Sequence, residues 1–169
     1  MKKVLFVAIL GIVMICWLTG IASAGSTLNN ILKKGELVVG ITGTQPPLNV
    51  TDKDGKIIGL DADLARAISA SMDVRLKISN MSFAELMPAL VGGKVDMIIS
   101  GMTMTLERNK KVAFVGPYYI SGKGILTKTE NIASLQNPGG LNKPEFRVAT
   151  LKDSTSQIFV QKESPEATL

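Results

Sequence analysis

Histidine is absent from this 169-residue sequence, and cysteine occurs once, as Cys16 in an N-terminal leader. The chain beyond that leader therefore has neither residue. Their absence excludes Ser-His-Asp and Cys-His nucleophilic machinery, zinc sites built on Cys and His, and a disulfide framework. Aromatics are 5% of the residues, and the single Trp, Trp17, is also in the leader. Stacking platforms for single-stranded nucleic acid are thus scarce. A strong charge of one sign is missing as well. Lys and Arg number 19 against 14 Asp and Glu, a formal +5, of which Lys2 and Lys3 belong to the leader. So small an excess, spread along the chain, argues against a nucleic-acid or membrane-surface protein. The length suits one ordinary domain or two small ones.

What is present begins with an address. Met1-Lys2-Lys3 is a short basic start, Val4 to Leu18 is an almost unbroken apolar run, and Ala22-Ser23-Ala24 precedes Gly25. These are the three regions of a secretory signal peptide, residues 1–24, cleaved before Gly25. The alternative is an uncleaved anchor, but the run is about 15 residues, short of the roughly 20 that a span requires. Cys16 follows Ile15 rather than a small residue, which argues against a lipoprotein site.

The remainder alternates helical and extended signals. Ser26 to Lys34 reads as a short amphipathic helix with Leu28, Ile31 and Leu32 on one side, stopped by Gly35. Leu37 to Ile41 is an apolar run fit for a buried parallel strand, followed by a Pro-rich loop from Thr42 to Pro47. Asp52 to Gly55 is a turn between two short extended pieces. Asp61 can cap a helix to about Met72, with Leu64, Ala67, Ile68 and Met72 inward. Val74, Leu76 and Ile78 alternate as a strand. Ser82 and Glu85 have capping-box spacing for a helix that ends at Gly92-Gly93 and is kinked by Pro88. Val95 to Ser100 reads as a third strand, and Leu106 to about Val112 as a helix. Further on, Ile125 to Lys128 and Arg147 to Leu151 read as strands, Asn137 to Gly140 as a loop, and Ser154 to Gln161 as a helix. Strand and helix in alternation make this an α/β chain. The last part never completes a sheet of its own.

Open α/β sheets bind ligands at the carboxyl ends of their strands. The third strand delivers Ser100, Gly101 and Thr103 to such an end, and the next helix carries Arg108 in its first turn. A cation there opposes the helix dipole, and an anionic ligand resolves the conflict by taking backbone N–H bonds and the guanidinium fork. The competing arrangement pairs Arg108 with Glu107, Asp96 or Glu85 on the surface. Phe83, after the second strand, is either a wall against an apolar ligand part or a staple for its own helix. Gln45, after the first strand, is either a ligand hydrogen-bonding group or an exposed loop residue. Asp61 and Asp63 fit a helix cap and first-turn acid better than a catalytic pair. Tyr118-Tyr119 suits packing at a domain junction.

Four stretches carry a resemblance when taken in order: Gly59-Leu60-Asp61-Ala62-Asp63-Leu64-Ala65, Gly93-Lys94-Val95-Asp96, Gly101-Met102-Thr103-Met104-Thr105-Leu106-Glu107-Arg108, and Phe114 through Tyr118. From about Gly35 to Thr155 the chain resembles the periplasmic amino-acid-binding proteins of ABC importers, the family 3 extracellular solute-binding proteins. The resemblance implies a periplasmic-binding-protein-like (type II) two-lobed α/β fold that closes on one amino acid. It places a first lobe at 25–122, largely present but without its return segment, and an incomplete second lobe at 123–169. It implies that Arg108 holds the ligand α-carboxylate, aided by Thr103, that Ser100 and Gly101 line the pocket, and that Phe83 is its wall. Thr155, with Ser154 beside it, reaches the carboxylate from the second lobe.

The resemblance also sets expectations about partners and departures. The partners are a free amino acid and an inner-membrane ABC permease, with no nucleic acid, no metal and no cofactor. The protein is a periplasmic monomer and not an enzyme. The family often has an aromatic where Gln45 stands. Basic-ligand members have an acid where Thr42 stands, so a strongly basic ligand is not expected. Members also continue well beyond Leu169, into a part carrying the aspartate that pairs with the ligand α-ammonium. Two alternatives stay open: a cyclohexadienyl or arogenate dehydratase-like enzyme, and a truncated fragment without function.

Overall fold

The computed structural model describes residues 25–131 and 140–169. The expected leader, 1–24, and most of the Asn137–Gly140 loop lie outside the described residues. The first helix, α1 (Ser26–Lys34), ends at Gly35, whose left-handed φ of 64° lets its N–H close bonds to the Ile31 and Leu32 carbonyls. Ile31 is its one buried residue, and Leu28 and Leu32 remain exposed.

Strand β1 (Glu36–Ile41) lies at the centre of a parallel sheet, between β5 (Arg75–Asn80) and β6 (Met97–Ile98). Its register runs from Glu36 opposite Arg75 to Ile41 opposite Asn80 on one side, with Val39 opposite Met97 on the other. The unbroken apolar run is what a strand covered on both faces requires. The third strand is shorter than Val95–Ser100. Only Met97 and Ile98 pair as strand, although Asp96 N–H reaches Val38 O and Ile99 N–H reaches Gly40 O on either side. Among the described residues β6 has a partner on one edge only, so little holds its ends in ladder geometry.

After β1 the chain makes a small antiparallel meander, β2 (Thr44–Gln45), β3 (Asn49–Thr51) and β4 (Ile57–Ile58). The expected turn joins β3 and β4. The Asp52 carboxylate accepts from Asp54 N–H at 2.9 Å and Lys56 N–H at 2.8 Å. Helix α2 (Leu60–Ser71) follows, and here the cap differs from expectation. Gly59 is the N-cap, and Asp61 lies within the first turn, fully buried, its N–H bonded to Leu48 O. The small stripe Asp61, Ala62, Ala65 and Ser69 is buried, while Leu64, Ile68 and Met72 flank the core and Ala67 faces solvent.

Helix α3 (Phe83–Val91) starts as expected, with the Glu85 carboxylate accepting from Ser82 N–H at 3.0 Å and Ser82 Oγ at 2.6 Å. It continues through Pro88, which is exposed, to Gly92. Leu37, Val39, Ile41, Ile31, Ile57, Ala62, Ala65 and Ile99 form the core under α2. Phe83, Leu86, Ala89 and Val95 are buried around α3.

Helix α4 (Leu106–Asn109) is a single turn and does not run to Val112. The N–H groups of Lys111 and Val112 share the Arg108 carbonyl, and the ladder stops there. Ile125 to Lys128 forms no strand. Ile125 and Leu126 are exposed, with no neighbouring strand among the described residues. Of Arg147 to Leu151 only Arg147 pairs, in a single parallel bridge to Thr168. Thr129–Asn131 is a 3₁₀ turn, and α5 (Thr155–Glu163) closes the described chain. No helix among the described residues is long and apolar enough to cross a membrane.

Candidate functional site

The carboxyl ends of β1, β5 and β6 open on one side of the sheet. Each continues into a segment that carries an expected site residue: Gln45 after β1, Phe83 after β5, and Gly101, Thr103 and Arg108 after β6. This is where a parallel α/β sheet leaves a crevice.

Arg108 lies on the short helix that follows β6. Thr105 caps α4, its hydroxyl accepting from Arg108 N–H at 3.2 Å, and this aims the side chain back over the loop. Nη1 donates to Thr103 O at 2.8 Å and Nη2 to Asp153 O at 2.9 Å. The guanidinium carbon lies 5.5 Å from the centroid of the Phe83 ring. Burial pushes the Arg108 pKa below the usual arginine value, and the negative charge of Asp153 opposes that shift. It stays cationic at neutral pH. The surface ion-pair alternative is not realised. Glu107 pairs with Lys110 at 2.7 Å, Glu85 with Ser82, and Asp96 accepts from Val38 N–H at 2.9 Å. A guanidinium has five N–H donors, so two carbonyl bonds leave further donors for a ligand.

Around Arg108 the structure gathers several of the expected residues. Phe83 is buried and presents its ring to the guanidinium. The Thr103 and Thr155 hydroxyls lie 3.4 Å apart, joining the loop after β6 to the start of α5. Gln45 reaches the same loop. A side chain at Gly101, which has φ 56°, would meet Gln45 Oε1 at 2.8 Å and Leu48 Cδ1 at 2.9 Å. Only glycine fits that approach without displacement.

Two expected residues take structural places instead. Ser100 is 1% exposed, its hydroxyl accepting from Thr42 N–H at 3.0 Å and donating to Thr42 Oγ1 at 3.1 Å. Ser154 caps α5, its hydroxyl accepting from Gln157 N–H at 3.2 Å. Each hydroxyl is engaged by a neighbouring group, Thr42 for Ser100 and the Gln157 N–H for Ser154. Thr42 is buried as well and donates to Asn49 Oδ1 at 2.8 Å.

Sequence reasoning missed two features. One is a buried polar chain that runs from Ser100 through Thr42 and Asn49 to Asp61, and from Asp61 to Tyr118. Asn49 Nδ2 donates to Asp61 Oδ2 at 2.6 Å, and Tyr118 Oη donates to Asp61 Oδ1 at 2.8 Å while accepting from Gly101 N–H at 3.0 Å. Burial first, then the bond to Asp61, pushes the Tyr118 phenol above the ordinary tyrosine value. The available signal was the i, i+4, i+8 spacing of Asp61, Ala65 and Ser69, a small-residue stripe suited to close packing. The other is Asp153, whose backbone carbonyl accepts from Arg108. Among the described residues no group of three or more His, Cys, Asp or Glu could hold a metal ion.

Comparisons with known proteins identify the family and the fold. Residues 37–168 match the family model described as bacterial extracellular solute-binding proteins, family 3. The ABC transporter arginine-binding protein 1 of Escherichia coli (strain K12) is 32% identical over 75% of this chain and 50% of its own length. The glutamine-binding protein of Geobacillus stearothermophilus is 31% identical over 85% of this chain and 56% of its own. Among solved structures, the ancestral amino acid-binding protein AncCDT-1, a precursor of cyclohexadienyl dehydratase, superposes with a TM-score of 0.80 at 38% identity. That match covers 85% of this chain and 63% of the other. The chain spans about half the length of the curated relatives it matches. Its fold is that of the type II periplasmic binding proteins, with helices packed on a parallel sheet. The chain belongs to the bacterial extracellular solute-binding proteins, family 3.

Proposed function

We propose that this chain binds a free amino acid outside the cytoplasm and hands it to an ABC permease in the inner membrane. The observation that carries the reading is Arg108, stacked on Phe83 and bonded to carbonyls of two segments, Thr103 and Asp153. A guanidinium so placed takes a carboxylate through its remaining donors. Thr103 and Thr155 add hydroxyls, Gly101 lets the loop approach closely, and Gln45 and Phe83 bound the ligand side chain. Ser100 and Ser154 contribute by fixing the backbone around them. The chemistry is capture and closure, with no bond made or broken.

The same proposal includes the remaining parts of the reading. Residues 1–24 direct export to the periplasm and are removed. Residues 25–122 belong to a first lobe and 123–169 to a second. Tyr119 to Ile125 is the crossover about which the lobes close, and closure signals to the permease. The protein acts as a monomer. Relatives named for arginine and for glutamine leave the side-chain class open.

Titration calorimetry of the purified chain with the common amino acids tests the reading. Heat with a subset of them, abolished in Arg108→Ala, is the expected result. Absence of heat with all of them overturns it. Incubation with arogenate or prephenate is expected to release neither phenylalanine nor phenylpyruvate, and release of either moves the protein to the dehydratases.

A further inference from the structure

Asp153 has a conformation and a neighbourhood that ligand capture alone does not require. It is not a glycine, yet its φ is 59°, in the left-handed region that L-residues other than Asn and Asp rarely adopt. Its backbone is held on both sides. The N–H donates to Gln157 Oε1 at 2.6 Å, and the carbonyl accepts from Arg108 Nη2 at 2.9 Å. The carboxylate, by contrast, is exposed and carries no hydrogen bond or ion pair among the described residues. Its charge opposes the downward shift that burial imposes on the Arg108 pKa. Asp153 is thus bonded through its backbone to the Arg108 guanidinium and carries its exposed carboxylate on that same residue, in the segment facing the loop after β6.

We propose that Asp153 is a specificity-determining residue of this site, a fixed negative charge that admits zwitterionic and cationic amino acids and disfavours acidic ones. The proposal rests on the reading of Arg108 as the carboxylate anchor. A ligand α-carboxylate bound at Arg108 is brought next to Asp153. The repulsion there is offset when the ligand also carries an ammonium group one carbon away. A second ligand carboxylate adds repulsion with nothing to offset it. Glutamine and glutamate are nearly isosteric and differ by that single charge, as arginine and citrulline differ by a positive one.

The test is calorimetry of the purified chain with L-glutamine, L-glutamate, L-arginine and L-citrulline, for wild type, Asp153→Asn and Asp153→Gly. Asn tolerates positive φ and removes only the charge, and Gly removes charge and strain together, so one of them stays folded. The expected result is a wild-type preference for the less negative member of each pair that binds. That preference narrows about fivefold in both variants, the size of a partly exposed charge interaction. It also narrows in wild type as ionic strength rises. Unchanged preferences in variants that still bind overturn the role of Asp153 while leaving Arg108 as the anchor. A wild type that binds no amino acid overturns the reading of the site itself, and this inference with it.

Discussion

The Tyr118 hydroxyl donates to the Asp61 carboxylate at 2.8 Å, joining the segment that leaves the first α/β unit to a fully buried acid in helix α2. Through Gly101 N–H the same hydroxyl steadies the loop that carries Thr103. Asp61 lies one helical turn from Ala65, so the acid enters the core along the small-residue stripe of α2. The buried carboxylate is tolerable because Asn49 and Tyr118 each supply a donor.

Removing one of those donors should be felt. Tyr118→Phe keeps the ring and leaves Asp61 Oδ1 without its partner. We expect a loss of about 1–3 kcal/mol, the usual cost of stranding a buried polar atom. Urea denaturation of the variant against wild type measures it. A change below about 0.3 kcal/mol would show that the bond is not maintained in solution.

The same bond predicts an alkaline limit. The Tyr118 phenol is raised above the ordinary value of about 10, so the folded state keeps its proton longer than the unfolded one. Its contribution to stability is therefore complete below about pH 10 and is lost as pH rises toward the folded pKa. Phenolate absorbance should show a component that titrates above pH 10 and disappears in Tyr118→Phe. A phenolate titration unaffected by the substitution contradicts the assignment.

At the other end of the pH scale, Glu85 is held below its ordinary value, first by the Ser82 hydroxyl and then by the Ser82 N–H. Its contribution is present above the unfolded value of about 4.3 and is lost as pH falls through the folded one. Carbon NMR titration of the Glu85 carboxyl should give a midpoint below 4.3 that returns toward it in Ser82→Ala. That substitution should cost about 1 kcal/mol through the lost cap.

Gly101→Ala tests the close approach at the site. Its φ of 56° and the contacts with Gln45 Oε1 and Leu48 Cδ1 oppose a Cβ. Both contacts are ends of flexible side chains, so the protein should still fold, with a loss of about 1–2 kcal/mol from the backbone. Amino-acid binding should weaken more than stability does, because Gln45 is displaced from the crevice. Equal binding by the variant would place the ligand elsewhere.

Much of the first unit was legible residue by residue. The span Ser26–Lys34, the stop at Gly35, the central apolar strand and the Ser82–Glu85 box depend on near neighbours in the chain, and local signals suffice for them. Arg108, Thr103, Phe83 and Gln45 were read from their places after the strands and Thr155 from the family resemblance; Arg108 contacts Phe83 and Thr103, Thr103 approaches Thr155, and Gln45 lies against Gly101. What local signals did not show falls where a distant partner decides. Ile125 to Lys128 has strand composition but no strand beside it. Ser100 and Ser154 are polar residues near the crevice whose hydroxyls are captured by Thr42 and Gln157. Asp61 looks like a cap because its role depends on Asn49 and Tyr118, 12 and 57 residues away.

The sequence by itself determined the class of fold, the order of helices and main strands in the first unit, and the arginine after the third strand. These follow from hydrophobic period, turn residues and helix boundaries, which act over a few residues. Only the tertiary structure decided which hydroxyls are free, which acid is buried and which stands beside Arg108. Those outcomes depend on what surrounds each group in three dimensions, since a polar side chain binds whichever partner the packing brings within hydrogen-bond reach.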